Sequence, residues 1–164
     1  MLVDEIKQTA KNKHVNLFFD MDGTVVEYET GKTGAILENV AGVYLNARPL
    51  KSVLKQVRSL SKNKNITIYI VSHCHYTEQM QEKLVWLKRY MPYIVAENIK
   101  ITVLTQTKFT KETKPYLKAN YIKTIMDKQP DSVNYLIEDD VPIIRASMKA
   151  LPELKVVHVS TFVK

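Results

Sequence analysis

Five short apolar runs recur along the chain, and each is rich in β-branched or aromatic side chains. They cover residues 15–19, 66–71, 99–104, 133–137 and 156–159. The first, second and fourth runs are nearly continuous, which is typical of strands that are buried on both faces of a parallel sheet. The pattern therefore predicts a parallel five-stranded sheet.

Apolar residues with helical spacing lie between these runs, and prolines stand near the ends of the stripes. The stripes consist of Leu50, Val53, Leu54, Val57 and Leu60; Met80, Leu84, Leu87 and Met91; Leu117, Tyr121, Ile122 and Ile125; and Ile144, Met148 and Leu151. Strands that alternate with helices form right-handed βαβ units, so we expect a three-layer α/β fold with helices on both faces of the sheet. Residues 2–13 predict an additional amphipathic helix before the first strand.

Composition narrows the class of protein. The 164 residues suit one globular domain over 1–164, and no apolar run approaches the roughly 18 residues of a membrane helix. The single cysteine excludes an internal disulfide and a paired-cysteine metal site. The net charge of +7 favours anionic partners. We expect a cytoplasmic protein without membrane contact.

The residues after the first predicted strand include two carboxylates. Asp20 and Asp22 stand two positions apart, followed by Gly23 and Thr24. Two like charges about 4 Å apart, at an effective dielectric constant of about 20, repel by about 4 kcal/mol. A bound cation or a shifted pKa is needed to stabilise such a pair. The simpler interpretation is a polar turn, since Asp and Gly are common in turns.

Polar residues also follow the second predicted strand. Ser72 ends it, and a hydroxyl group at a strand end could bind a phosphate oxygen. The run of His73, Cys74 and His75 is a poor metal site, because neighbouring residues do not easily converge on one ion and no other cluster completes four ligands. Cys74 also lacks a base that would activate it as a nucleophile.

Acids follow the fourth strand, and a lysine precedes the third helix. Glu138, Asp139 and Asp140 are consecutive, and hard carboxylate oxygens suit Mg²⁺. Lys114 stands with Pro115 at a helix start, where a lysine opposes the helix dipole unless both face an anion. The simpler interpretations are a solvated acidic turn and an ordinary surface lysine.

Taken in order, these residues resemble the four motifs of the haloacid dehalogenase (HAD) superfamily of phosphohydrolases. Residues 20–24 are similar to the first motif, Ser72 to the second, residues 114–115 to the third and residues 138–140 to the fourth. The 25-residue interval from Lys114 to Asp139 is also common in that superfamily. The resemblance covers residues 15–159 and implies a Rossmann-like core.

The resemblance implies a Mg²⁺-dependent phosphomonoester hydrolase that works through an aspartyl-phosphate. Asp20 would be the nucleophile, and Asp22 would protonate the leaving group and then accept a proton from water. Lys114 and Ser72 would hold the phosphate oxygens. The metal would bind Asp20, Asp139 and the backbone carbonyl of Asp22. Further candidates near the metal are Glu138, Asp140 and Thr24.

Residues 25–48 form an insert that is too short for a separate cap domain but long enough for a flap or a small lid. The stretch 82–87 resembles a helix of the small-capped deoxyribonucleotidases, which favours a small phosphorylated metabolite such as a (deoxy)nucleoside monophosphate. The candidate specificity residues, which could stack on a base or contact its edge or sugar, are Tyr28, Tyr44, Asn46 and Arg48.

Two alternatives stay open. A lightly covered site could admit a phosphorylated macromolecule or a nucleic-acid end. The basic residues that would support contact with a nucleic-acid backbone are Lys51, Lys55, Arg58, Lys62 and Lys64. Lysines on an outer helix face are usually only a solvated surface, so nucleic acid is not favoured. The other alternative is a non-catalytic binding module of the same fold. The loss of a motif residue would have indicated it, and none is lost. The sequence leaves the oligomeric state open.

Overall fold

The computed structural model describes residues 1–27 and 42–163, and it contains one parallel sheet with helices on both faces. The strands are β1 (Val15–Phe19), β2 (Ile66–Cys74), β3 (Ile99–Val103), β4 (Val133–Glu138) and β5 (Lys155–His158). The helices are α1 (Leu2–Thr9), α2 (Lys51–Leu60), α3 (Thr77–Tyr90), α4 (Leu117–Lys128), α5 (Val141–Ala150) and α6 (Val159–Phe162). The expected α/β architecture is confirmed.

The strand order is β3-β2-β1-β4-β5, and every pair is parallel. The central strand β1 has all five residues buried, which its unbroken apolar sequence predicts. Phe19 at its end pairs with Ile70 of β2 and Ile137 of β4. The carboxyl ends of these strands therefore meet at one edge of the sheet, and the residues that follow them converge there.

Two apolar layers hold the helices on the sheet. On one face, α1, α2, α3 and α6 contribute buried residues to a large cluster with the sheet. On the other face, α4 and the chain after α5 pack on Phe18 and Tyr69, whose rings stack at 4.8 Å between centroids. Because side chains alternate across a strand, Phe19 faces the first layer and contacts Phe162 of α6 edge-on at 5.2 Å.

The N-terminal helix α1 ends at Thr9, earlier than the predicted boundary at residue 13. Val3 and Ile6 are buried in the larger apolar cluster, so this helix packs on the same core as the rest of the chain. Glu5 accepts hydrogen bonds from the Tyr135 hydroxyl at 2.8 Å and from the Lys155 ammonium at 2.9 Å.

Two of the predicted helix faces are partly wrong. Leu84 is 39% exposed and Met148 is 56% exposed, although both belong to predicted apolar stripes. In α3 the buried positions include Lys83, Trp86 and Leu87. The inward face of this helix is thus rotated from the predicted stripe, because a lysine occupies an inward position that the pattern of apolar residues alone does not identify.

No helix in the described ranges is both long enough and apolar enough to cross a membrane.

Candidate active site

The turn after β1 brings both aspartates of the first motif to the carboxyl edge of the sheet. Gly23 adopts a φ of 75°, which favours glycine, and its N–H donates to the Val26 carbonyl at 2.8 Å. Val25 and Val26 donate their N–H groups to the Met21 carbonyl, which closes the turn. Asp20 and Asp22 line a cleft of about 260 Å³ at this edge.

Lys118, at the start of α4, lies against Asp20 and Glu138. Its Nζ forms ion pairs with both carboxylates, at 2.6 Å from Glu138 Oε2, and the side chain is almost fully buried. Burial by itself lowers the pKa of Lys118, but the two carboxylates outweigh burial and raise that pKa above its ordinary value. Lys118 therefore places a permanent positive charge beside Asp20.

Glu138 is buried, and both of its carboxylate oxygens have donors. Oε2 accepts from Lys118, while Oε1 accepts from the backbone N–H groups of Asp139 at 3.1 Å and Asp140 at 3.2 Å. Burial and the negative charge of Asp20 raise the pKa of Glu138. This residue thus fixes the turn after β4 and holds Lys118 in place.

The acidic cluster has the composition of a divalent-cation site. Ligand oxygens of Asp20, Glu138 and Asp139 lie within 4.8 Å of one another. Burial and Asp20 raise the pKa of Asp139 to about 6, as expected where carboxylates outnumber nearby cations. Hard oxygen ligands with excess negative charge suit Mg²⁺. Because the oxygens of Glu138 already have donors, Asp20 and Asp139 are the better ligands.

Two secondary candidates near the metal site lie in different surroundings. Thr24 is fully buried, and its hydroxyl donates to Asp139 Oδ1 at a long 3.4 Å. Asp140 is exposed on the cleft wall, where it precedes α5. Thr24 is therefore placed to orient Asp139, whereas Asp140 faces the open side of the cleft.

The structure places Ser72 differently from the prediction. Ser72 is fully buried, and its Oγ accepts a hydrogen bond from Lys83 Nζ at 3.0 Å. Among the described residues that line the cleft, the neighbour His73 is present and Ser72 is not. The Ser72 hydroxyl thus contacts a buried lysine rather than the cleft surface.

The His-Cys-His run lines the cleft without forming a metal site among the described residues. Burial, and then the charges of Lys118, Lys83 and Lys114, lower the pKa of His73 to about 3, so this imidazole is neutral. Burial raises the pKa of Cys74, which favours the thiol form and is consistent with the prediction that Cys74 is not the nucleophile.

The lysine predicted for the third motif is not the lysine that contacts Asp20. Lys114 is exposed on the cleft wall, whereas Lys118, four residues further on, forms the buried ion pairs. Lys118 shares the inward face of α4 with Ile122 and Ile125. A lysine within an apolar stripe is the signal that could have identified it, and the same signal applies to Lys83 in α3.

Of the predicted specificity residues, only Tyr44 lines the cleft among the described residues. Asn46 donates its side-chain amide to the Gly42 carbonyl at 2.9 Å, and both Asn46 and Arg48 are exposed away from the cleft lining. Tyr28 and most of the predicted insert lie outside the described residues.

Comparisons with known proteins find the same architecture in solved structures of low sequence identity. No family model and no curated protein matches the sequence. Three solved structures cover most of the chain, at TM-scores of 0.60, 0.55 and 0.51. They are the Pnkp1/Rnl/Hen1 RNA repair complex (13% identity, 89% of this chain and 42% of that chain), the class C acid phosphatase from Bacillus anthracis with tungstate bound (16%, 93% and 68%), and the HAD domain of the effector protein Lem4 from Legionella pneumophila (12%, 88% and 85%).

At these identities the likeness establishes the fold alone. The chain has the fold of HAD domains, and it spans less than half the length of the chain in the repair complex.

Proposed function

We propose that this chain is a phosphomonoester hydrolase of the HAD type, with Asp20 as its nucleophile. The observation that carries the proposal is the position of Asp20: one ion pair holds it against Lys118, and Asp139 lies beside it at the carboxyl edge of the sheet. A carboxylate next to a fixed cation and a candidate metal site can approach a phosphate dianion that would otherwise repel it. The shared fold with a class C acid phosphatase supports this chemistry.

The proposed reaction has two displacements at phosphorus. In the first, an oxygen of Asp20 attacks, the bond to the leaving oxygen breaks, and Asp22 gives that oxygen a proton. In the second, Asp22 takes a proton from a water molecule that attacks the aspartyl-phosphate, which releases inorganic phosphate and restores Asp20. Lys118 stabilises the negative charge of the transferring group in both displacements.

Mg²⁺ is the proposed cofactor. Asp20, Asp139 and the backbone carbonyl of Asp22 would hold it, and when bound it would neutralise charge on the phosphoryl oxygens. Glu138 would act through Lys118 and the turn after β4, since its two oxygens already accept hydrogen bonds. Lys114, exposed on the cleft wall, would contact outer phosphate oxygens. Ser72 would not contact the phosphate, and its proposed role is to accept the hydrogen bond from Lys83.

The substrate that the cleft supports best is a small phosphorylated metabolite such as a (deoxy)nucleoside monophosphate. The volume of about 260 Å³ lies just below the usual range of small-ligand pockets, roughly 300–1,000 Å³, so it suits a single phosphorylated unit. Tyr44 supplies an aromatic surface in the cleft wall. We therefore propose Tyr44 as the described residue that contacts the non-phosphate part.

A phosphorylated nucleic-acid end is the second candidate. Lys108, Lys111 and Lys114 are all exposed in the loop that leads to the cleft, and Phe109 is exposed between two of them. Lysines with an interleaved aromatic ring are typical of single-strand binding. The similar structure from an RNA repair complex is consistent with this candidate.

The test is phosphate release by purified protein from p-nitrophenyl phosphate, nucleoside monophosphates and 5′- or 3′-phosphorylated oligonucleotides. We expect release that stops with EDTA and returns with Mg²⁺. Asp20→Asn should reduce the rate by at least about 10⁴-fold, because the nucleophile is removed. Absence of release by the unaltered protein with Mg²⁺ would favour the non-catalytic binding module, and the order of rates decides between the two substrate classes.

A further inference from the structure

Lys83 is a buried lysine that the proposed reaction does not yet use. It lies on the inward face of α3 beside Trp86 and Leu87, and none of its surface is exposed. Removing an ammonium ion from water costs several kcal/mol unless carboxylates and hydrogen-bond acceptors compensate. The contacts of the Lys83 ammonium group should therefore show what stabilises this buried charge.

Three acceptors from two parts of the site surround the Lys83 ammonium group. It forms an ion pair with Asp22 Oδ2 and donates to Ser72 Oγ at 3.0 Å and to the His73 carbonyl at 2.7 Å. An ammonium group has three N–H donors, so these contacts use all of them. Lys83 thus joins the turn after β1 to the end of β2.

The ring of Tyr44 covers the same ammonium group. Lys83 Nζ lies 4.6 Å from the Tyr44 ring centroid, within the range of a cation–π contact. Tyr44 belongs to the insert and lines the cleft, as does Asp22. The lysine is therefore in contact with a wall residue of the insert and with the proposed proton donor.

The helix that carries Lys83 also holds the end of the insert. Glu82 Oε1 accepts from the Gly42 N–H at 2.7 Å, and Glu82 Oε2 accepts from the Tyr44 N–H at 3.1 Å. Trp86 Nε1 donates to the Ala47 carbonyl at 2.8 Å. Since Glu82 and Lys83 are adjacent, one segment of α3 sets the positions of both Tyr44 and Asp22.

We propose that Lys83 is a positioning residue that fixes the Asp22 carboxyl group for proton transfer to the leaving oxygen and aligns it with Tyr44 of the insert. This inference rests on the proposed function, because it assigns the role of Asp22 in that reaction. A buried ion pair that only stabilises the fold would slow all substrates alike. If Lys83 positions Asp22, the loss of rate in a Lys83 variant should be larger for a leaving group that needs a proton in order to depart.

Leaving groups with different basicity provide the test. A simple alkyl phosphate needs protonation of its departing oxygen, whereas p-nitrophenolate departs without it. In Lys83→Met we expect kcat/KM for the alkyl phosphate to fall by about 10²-fold, the size of effect that a misplaced group produces, and to fall less than tenfold for p-nitrophenyl phosphate. Asp22→Asn should give the same split between the two substrates, that is, a large loss on the alkyl phosphate and a small loss on p-nitrophenyl phosphate. The double variant, Lys83→Met with Asp22→Asn, should show little additional loss on the alkyl phosphate.

Matched variants separate positioning from folding. Lys123→Met removes an exposed lysine that pairs with Asp127, and it should leave both rates unchanged. Lys83→Arg keeps the charge and the donors, so it should recover part of the alkyl phosphate rate. If Lys83→Met does not fold by circular dichroism, Lys83→Gln, which loses the charge but keeps a donor, should give a smaller split in the same direction.

Equal losses on both substrates in Lys83→Met, with the split intact in Asp22→Asn, would overturn the positioning role and leave the proposed function standing. If Lys83→Met does not fold, the absence of a split in Lys83→Gln would do the same. Absence of turnover in the unaltered protein would overturn both.

Discussion

Lys114 and Lys118 lie one helical turn apart, yet their surroundings differ completely. Lys118 is buried between Asp20 and Glu138, whereas Lys114 is exposed on the cleft wall. The sequence favours Lys114 because it stands at a helix start and at a familiar interval from Asp139. The burial of Lys118 depends on how α4 packs on the sheet, and the sequence indicates it only through the place of Lys118 in the apolar stripe of that helix.

Substitution of each lysine by methionine should separate these roles. Lys118→Met leaves Asp20 and Glu138 buried without their counter-charge, so the free energy of unfolding in urea should fall by about 3–5 kcal/mol. The rate should fall by about 10²–10³-fold, because a fixed charge beside the transferring group is lost.

Lys114→Met is the matched control. It should change the free energy of unfolding by no more than about 0.5 kcal/mol, as at other exposed sites, and reduce the rate less than tenfold. A larger loss of activity in Lys114→Met than in Lys118→Met would indicate that Lys114, and not Lys118, is the lysine that stabilises the transferring phosphoryl group.

Tyr93 provides a pH-dependent prediction at a single residue. Its hydroxyl is buried without a partner among the described residues, and burial raises its pKa to about 12. Between pH 10 and 12 the unfolded chain loses this proton while the folded chain keeps it, so stability falls as the pH rises through that range. Urea unfolding at pH 9, 10 and 11 should show a smaller fall for Tyr93→Phe than for the unaltered protein. Parallel curves would contradict the predicted linkage.

At the scale of elements, the strands were predictable and the helix faces were less so. All five strands appear within a few residues of their predicted bounds. Continuous apolar runs such as Val15–Phe19 are typical of strands that are buried on both faces of a parallel sheet. The faces of α3 and α5 were harder to assign because Lys83 and Ser147 are buried while Leu84 and Met148 are exposed. Lys83 is buried where three acceptors surround its ammonium group, and Ser147 is buried without a hydrogen-bond partner among the described residues, so neither follows the hydrophobic pattern.

The N-terminal helix α1 should contribute to stability through its inward face. Ile6 is fully buried against the core, so Ile6→Ala should lower the free energy of unfolding by about 2–5 kcal/mol. Gln8→Ala, on the exposed side of the same helix, should change it by about 0.5 kcal/mol or less. Equal small effects in urea titrations would contradict the docking of α1.

At the scale of the whole molecule, the topology brings together residues that are distant in sequence. The parallel strands place Asp20, Asp22 and Asp139 at one edge, and the order of motifs along the chain was sufficient to predict this. The sequence did not predict that Ser72 would contact Lys83, or that Glu138 would hold Lys118. Those contacts depend on which side of each strand and helix faces the other layer.

Trapping the covalent intermediate tests the central claim most directly. In Asp22→Asn, p-nitrophenyl phosphate can still phosphorylate the protein because its leaving group needs no proton, but hydrolysis should slow because the base is lost. Acid quenching and peptide mass analysis should then find one phosphoryl group on Asp20. A phosphoryl group on His73 or Cys74 instead, or an unmodified Asp20 in a variant that still releases p-nitrophenol, would contradict the account.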